Sequence, residues 1–186
     1  AYSDGCVIAI FYTNAEMKNL YTGAYHETGN VGVITKVVNG RTLVEIDHEP
    51  ALKKYAEWTG KDIASLMGSN LLTDLSMNIG ADLAENTAVI QLSNTPEGIL
   101  MANEDTIAKL NGLMNTPVNS YFLVHCGGRR LGLALSKIED RIYPTVKKSI
   151  PDKEFLMVFT FGEYGEGDHS SNTVGGLSLS FTGFGE

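Results

Sequence analysis

One stretch of the chain decides the fold: Tyr121-Phe-Leu-Val-His125-Cys126-Gly127-Gly128-Arg129-Arg130. Its first five residues are mostly apolar and aromatic, which predicts a buried strand. A turn on two glycines and two arginines follows, and a helical pattern begins near Leu131. A strand, a glycine turn, a charged side chain and a helix in succession often frame a small-molecule or anion site. The stretch predicts where a ligand binds, but it names neither the ligand nor a reaction.

A second apolar run, residues 155–161, is predicted to lie beside this strand. The amphipathic segment 133–150 between them is long enough for the crossover that parallel neighbours need, although Pro144 should kink or divide it. Both strands are then expected to be central. Their carboxyl ends meet at one sheet edge, which would bring Arg129 and Glu163 together. Gly128 and Gly162 are predicted to hold conformations or close approaches that alanine could not.

Local signals outside this region predict a mixture of strands and helices. Asn39-Gly40 separates two β-like runs, which predicts a hairpin, and Pro50 and Gly60 bracket a helix. Residues 68–86 stay ambiguous between loop and broken helix. Further strands are expected at 5–12, 20–26, 87–92 and 176–181, further helices at 62–66 and 105–114, a turn at 94–98, and a loop at 162–173. The order predicts an α+β fold, with a mixed β-sheet core, packed helices and an N-terminal β-hairpin region.

Composition limits the function. The net charge of −8 argues against nucleic-acid binding, and no apolar run is long enough to span a membrane. The two cysteines lie far apart, and no leader pattern opens the chain, so we expect a cytoplasmic protein. Because the chain starts almost inside an apolar strand, we expect a fragment of a longer protein that self-associates near residues 5–12.

Three stretches together resemble the FIST C-terminal domain, a sensory module of bacterial and archaeal signalling proteins. They are the hairpin and helix from Gly32 to Tyr55, the turn Val124-His-Cys-Gly-Gly-Arg129, and Phe161-Gly-Glu163 with His169 and Asn172-Thr173. His48-Glu49 replaces the glycine that the family has before Pro50-Ala51. The resemblance implies that residues 30–186 form such a domain and that residues 1–29 are the tail of a FIST N-terminal domain.

The resemblance also implies small-molecule sensing, with amino acids or small carboxylates as the ligand class and a downstream signalling protein as partner. No enzyme activity, metal or cofactor is expected. The expected ligand-binding residues are Cys126, Gly128, Arg129, Glu163, Asn172 and Thr173, with Arg129, Glu163 and Asn172 converging on one cleft. An arginine can hold a carboxylate by two parallel hydrogen bonds, but a structural Arg129–Glu163 ion pair stays open as an alternative.

Two other functions stay open. A haem-binding nitric-oxide sensor would need an axial ligand, for which His125, His26 and His169 are the candidates. A cysteine-dependent enzyme would use Cys126, activated by Arg129 and a helix N-terminus. The alternative for Cys126 is a small buried side chain, which is the common state of a free cysteine.

Overall fold

The computed structural model describes residues 10–39, 42–67, 77–81, 88–166 and 172–186, with only the backbone described at 77–81, 88–93, 166 and 172–175. The strands are β1 Met17–Gly23, β2 His26–Val38, β3 Thr42–Ile46, β4 Glu49–Pro50, β5 Met77–Ala81, β6 Ala88–Ser93, β7 Ser120–Cys126, β8 Glu154–Thr160, β9 Glu163–Glu166, β10 Asn172–Gly175 and β11 Ser178–Phe184. The helices are α1 Ala51–Thr59, α2 Ile63–Leu66, α3 Pro96–Leu113, α4 Gly127–Leu135 and α5 Ile142–Ser149, with a 3-10 turn at Glu139–Arg141.

β7, the strand predicted at 121–125, is an inner strand of a four-stranded mixed sheet of order β1-β11-β7-β8. β7 and β8 are parallel neighbours, as predicted, with Cys126 opposite Thr160 at their carboxyl ends. β11 runs antiparallel to both β1 and β7. The expectation that β8 is central is wrong, because β8 is the last strand of this sheet. We call this sheet the main sheet.

One face of the main sheet carries the hydrophobic core. Alternate side chains of a strand point to opposite faces, so Leu123 on β7 and Phe181 and Leu179 on β11 all face α3, α4 and α5. All three side chains are fully buried. The fold class is therefore α+β, with helices packed on a mixed sheet.

The opposite face of the main sheet is covered by a two-stranded ribbon, β9 paired antiparallel with β10. The ribbon crosses so closely that a Cβ on Gly165 would lie 2.7 Å from Cβ of Tyr21. The prediction of a plain loop over 162–173 is therefore wrong at both ends, while residues 167–171 lie outside the described part. Ser178 and Ser180 of β11 are buried.

A second sheet, of order β4-β3-β2-β6-β5, contains the predicted hairpin. β2 and β3 pair antiparallel up to Val38 opposite Thr42, and Asn39 has a φ of 54°, in the left-handed region that tight hairpin turns use. α1 follows with Pro50 as its N-cap, and Gly60 ends it at a φ of 66°. The N-terminal hairpin and the helix limits are confirmed.

Two helix boundaries differ from the predictions. α3 starts at Pro96, not near Asp105, because Thr95 caps it by accepting a hydrogen bond from the Gly98 N–H at 3.0 Å. α4 starts at Gly127, directly after β7, so the expected glycine turn is the first turn of the helix. Pro144 lies in the first turn of α5, where its missing N–H costs little. The helical segment is divided before it, between the end of α4 at Leu135 and the start of α5 at Ile142.

The predicted strand at 5–12 is not found over residues 10–12, which are irregular and exposed, and residues 5–9 lie outside the described part. Of the ambiguous segment 68–86, residues 77–81 form β5 and the rest lies outside the described part. No helix in the described ranges has the length and apolar character to cross a membrane.

Candidate functional site

The candidate site lies where β7 and β8 end, between the first turn of α4, the start of β9 and the start of β11. These elements enclose a buried group of polar side chains, which we call the polar cluster: Tyr21, Cys126, Arg129, Thr160, Glu163 and Ser178. Four of them, Cys126, Arg129, Glu163 and Ser178, are less than a tenth exposed. A buried set of hydroxyl, thiol and charged groups is unusual, because each polar group needs a partner to offset its lost hydration.

Arg129 is fully buried in the first turn of α4. Its Nη2 donates to the main-chain oxygen of Ile99 at 2.6 Å, and its Nη1 donates to that of Leu177 at 3.4 Å. The guanidinium thus joins the start of α3 to the segment before β11. Its Nε has no hydrogen-bond partner among the described residues. Burial lowers the pKa of Arg129 to about 10, partly offset by nearby Tyr25, Cys126 and Glu163, so the side chain stays charged at neutral pH.

Glu163 is the first residue of β9 and is also fully buried. Its Oε1 accepts a hydrogen bond from the Thr160 hydroxyl at 3.1 Å, while its Oε2 has no partner in the described part. Arg129 and Glu163, the two charged members of the polar cluster, form no ion pair within 4 Å. Glu163 is nevertheless close enough to raise the pKa of Arg129. A donor on Arg129 and an acceptor on Glu163 are therefore both buried and unpaired, which is the arrangement that a small polar ligand could satisfy.

Tyr21 joins the cluster from β1. Burial raises the pKa of its phenol; a hydrogen bond with Ser178 opposes the shift, and Glu163 and Cys126 add to it. Tyr21 and Ser178 were not predicted as site residues, although each lies in a strand expected from the sequence, at 20–26 and at 176–181. No local signal identifies either residue, because the β1–β11 pairing and the ribbon above it bring them to the site.

Cys126 is the N-cap of α4, and its Sγ accepts a hydrogen bond from the Gly128 N–H at 3.2 Å. The side chain is buried, as the structural alternative expected. The neighbouring His125 lies on the other face of β7, opposite Leu179, and its Nδ1 bonds the Cys126 carbonyl oxygen at 3.0 Å. This imidazole therefore does not act on the thiol as a base.

His125 is fully buried against the ring of Phe159, with centroids 5.2 Å apart. Burial, with Arg129 and Arg130 nearby, lowers its pKa to about 3. The imidazole is therefore neutral near pH 7. Its Nε2 has no hydrogen-bond partner among the described residues.

The two glycines singled out by the sequence behave differently. A Cβ on Gly128 would lie 2.9 Å from Cδ2 of Leu177 and 3.4 Å from the Cys126 sulfur, so the approach is close, although the flexible end of the Leu177 side chain could shift to admit alanine. Gly162 has open space around its Cα and no positive φ, so that half of the prediction is wrong. The close approach at this strand end is instead at Gly127, where a Cβ would lie 3.0 Å from the Thr160 carbonyl oxygen.

The remaining predicted residues lie on the ribbon. Asn172 pairs with Glu166, and Thr173 pairs with Gly165, whereas Glu163 pairs with Gly175 at the other end of β10. The backbone therefore places Asn172 three pairs along the ribbon from Glu163. His169 lies outside the described part, and His26 is exposed at the start of β2. Among the described residues, no group of three or more His, Cys, Asp or Glu side chains is arranged to bind a metal ion.

Comparison with known families gives one match. Residues 1–49 match the family described as the FIST N domain. The matched part includes β1, β2 and β3, and it contributes Tyr21 to the polar cluster. The match covers 49 of the 186 residues. It extends past residue 29, the end predicted for that domain. No match was found among the curated proteins or among the solved structures.

Proposed function

We propose that the chain is a sensory domain of a signal-transduction protein and that a small molecule binds at the polar cluster. The match of residues 1–49 to the FIST N domain supports the sensory role. The observation that carries the site is the pair of buried, unpartnered atoms, Arg129 Nε and Glu163 Oε2. Residues 30–186 would form the C-terminal FIST-like domain. This range overlaps the match to the FIST N domain at residues 30–49.

The ligand should carry an acceptor for Arg129 and a donor for Glu163, as amino acids and related small carboxylates do. Cys126 and Gly128 would contact the ligand from the first turn of α4, where the positive end of the helix dipole favours an anion. Asn172 and Thr173 lie three and two pairs along the ribbon from Glu163, so they would contribute only to a ligand that extends along β10.

Both charged residues are fully buried, so a neighbouring element must shift to admit a ligand, and in this proposal that element is the ribbon, which begins with Glu163. Ligand binding would then select one position of the ribbon over another. In this proposal, the ribbon's position is what a downstream signalling protein detects.

The test is a thermal-shift screen of amino acids and small carboxylates. A ligand at about 100 times its Kd should add ~2.7 kcal/mol of stability and raise Tm. Glu163→Gln keeps the size and the acceptor for Thr160 but removes the charge, so it should abolish the shift. The matched control is Glu139→Gln, which changes a partly exposed carboxylate beside Arg130. Equal shifts in wild type and Glu163→Gln would refute the site.

Arg129 needs a conservative variant, because it also joins α3 to the segment before β11. Arg129→Ala would remove the hydrogen bonds to the main-chain oxygens of Ile99 and Leu177 and destabilise the protein for that reason alone. Arg129→Lys keeps a charge but loses Nε, so we expect weaker ligand binding from a folded protein. Unchanged binding by Arg129→Lys would contradict the role of Nε.

Haem is the second candidate, favoured by the neutral His125 imidazole with its unpartnered Nε2. Haem iron binds a neutral imidazole nitrogen of this kind. The Phe159 ring would have to move to admit the macrocycle, since it packs against the imidazole. Adding hemin and recording a Soret band tests this function: a band lost in His125→Gln and kept in His26→Gln supports it, and no band rejects it.

A further inference from the structure

We propose that β8 is a dimerisation strand, which pairs antiparallel with β8 of a second copy about a two-fold axis at Met157. β8 is the last strand of the main sheet, and its only strand partner among the described residues is β7. Within the described part of the chain, no strand pairs with the other edge of its backbone, which can therefore accept a further strand. Strand edges of this kind template pairing with a further chain.

Beyond Glu154 at its start, the sequence of β8 has nothing to protect this edge. From Phe155 to Phe161 it contains no charged residue and no proline, which are the usual means of blocking edge pairing. Two other outer strands do have such features: β1 contains Lys18, and β4 has only two residues, one of them Pro50. On β8, Leu156 is 61% exposed, and Phe161 just beyond it is fully exposed.

The strand is complementary to itself in the antiparallel direction. With the axis at Met157, Leu156 faces Val158 of the second copy, and Phe155 faces Phe159. Every facing pair from Phe155 to Phe159 is apolar, and the only charge in the strand, Glu154, faces Thr160. Cross-strand aromatic and aliphatic pairs stabilise sheets, whereas like charges that face each other destabilise them. This register brings no like charges of the two β8 strands together.

A groove beside the strand would receive the second copy. It has a volume of about 420 Å³ and is lined by Ile142, Tyr143, Met157 and Phe159, with Arg130, Glu139 and Asp140 at its rim. Arg130 stacks over the Phe159 ring at 4.7 Å and is bonded to Glu139. The two-fold axis places Met157 and Phe155 of the second copy against these apolar walls. A closed two-fold dimer joins two main sheets into one and covers the β8 edge of each copy.

The experiment is sedimentation velocity across the micromolar range with wild type, Leu156→Lys and Leu135→Lys. Leu135 is the matched control, because it is 57% exposed on α4 and does not line the groove beside β8. We expect a wild-type dimer, a dimer for Leu135→Lys, and dimerisation weakened by at least about tenfold for Leu156→Lys, since the axis applies each change twice. Moderate salt should strengthen the dimer by screening the net charge of −8.

The register has its own test. Because Leu156 faces Val158 across the axis, Leu156→Lys mixed with Val158→Glu should form a heterodimer that neither variant forms alone. A monomeric wild type, or a Leu156→Lys protein that dimerises like wild type, would overturn the proposal. In the second outcome the association lies elsewhere, for example at the exposed residues 10–12. A dimer sensitive to Leu156→Lys but not restored in the mixture would reject the register about Met157.

Discussion

His125 should make the protein sensitive to mild acid. Burial lowers its pKa from the ordinary value of 6.5 to about 3, and the positive charges of Arg129 and Arg130 add to the effect. Between these two pH values the unfolded chain binds a proton that the folded chain does not. The stability that the neutral imidazole contributes is therefore complete above about pH 6.5 and is lost as the pH falls toward 3.

The size of the effect follows from the two pKa values. Their full difference corresponds to ~5 kcal/mol, and the part that falls between about pH 7 and pH 5 is ~2 kcal/mol. We expect the free energy of unfolding, measured by urea denaturation, to fall by that amount between these pH values. Most carboxylates titrate below this window, so they contribute little to the change.

His125→Gln is the informative variant, because it removes the titrating group and keeps a side chain that can bond the Cys126 carbonyl. Its stability will be lower at every pH through lost packing, so the comparison is between pH dependences. The variant should lose the ~2 kcal/mol dependence, whereas His26→Gln, at an exposed position, should keep it. A pH dependence shared by wild type and His125→Gln would refute the reasoning.

Three further outcomes are expected. Gly165→Ala should destabilise by ~1–3 kcal/mol in urea denaturation, because its Cβ would meet Tyr21 at 2.7 Å, whereas Gly162→Ala, in open space, should change stability by less than ~0.5 kcal/mol; equal effects would contradict the close crossing of the ribbon. In a Cys6→Ser background, iodoacetamide should label the buried Cys126 only at the rate of opening or unfolding, and fast labelling of the native protein would instead support a reactive thiolate. The pKa of Glu16 is lowered: desolvation raises it, but hydrogen bonds from Thr116 and Asn115 outweigh that effect. Stability should therefore fall in wild type below about pH 4.5 and fall less in Glu16→Gln, and identical acid profiles would count against this role.

Features governed by neighbours in sequence were predicted well. The Asn39-Gly40 hairpin, the helix between Pro50 and Gly60, and the parallel pairing of β7 with β8 each follow from a local turn, cap or crossover. The start of α3 was also visible in Thr95-Pro96-Glu97, an N-cap followed by proline and an acid. The predicted turn at 94–98 and the predicted helix start at Asp105 were therefore wrong, because residues 96–104 already belong to α3.

The candidate site was predictable only in part. Arg129 and Glu163 follow from the two parallel strand ends, which the sequence identifies. Tyr21 and Ser178 do not, because their burial depends on the ribbon crossing above β1 and β11. The ribbon strands are short, rich in glycine and acids, and lack apolar alternation, so no period marks them as strands.

The pairing of β1 with β11 also has a consequence for the order of folding. Asn19 and Ser180, which hydrogen-bond across this pair, are 161 residues apart. Closing so long a loop is entropically costly, so contacts of this kind form slowly and late. The β2–β3 hairpin can form from adjacent residues long before. During synthesis β1 must wait, with its apolar side chains uncovered, until the last strand has left the ribosome. Because β11 lies between β1 and β7, we expect a chain truncated before Ser178 to lose the main sheet and become a substrate for chaperones and proteases.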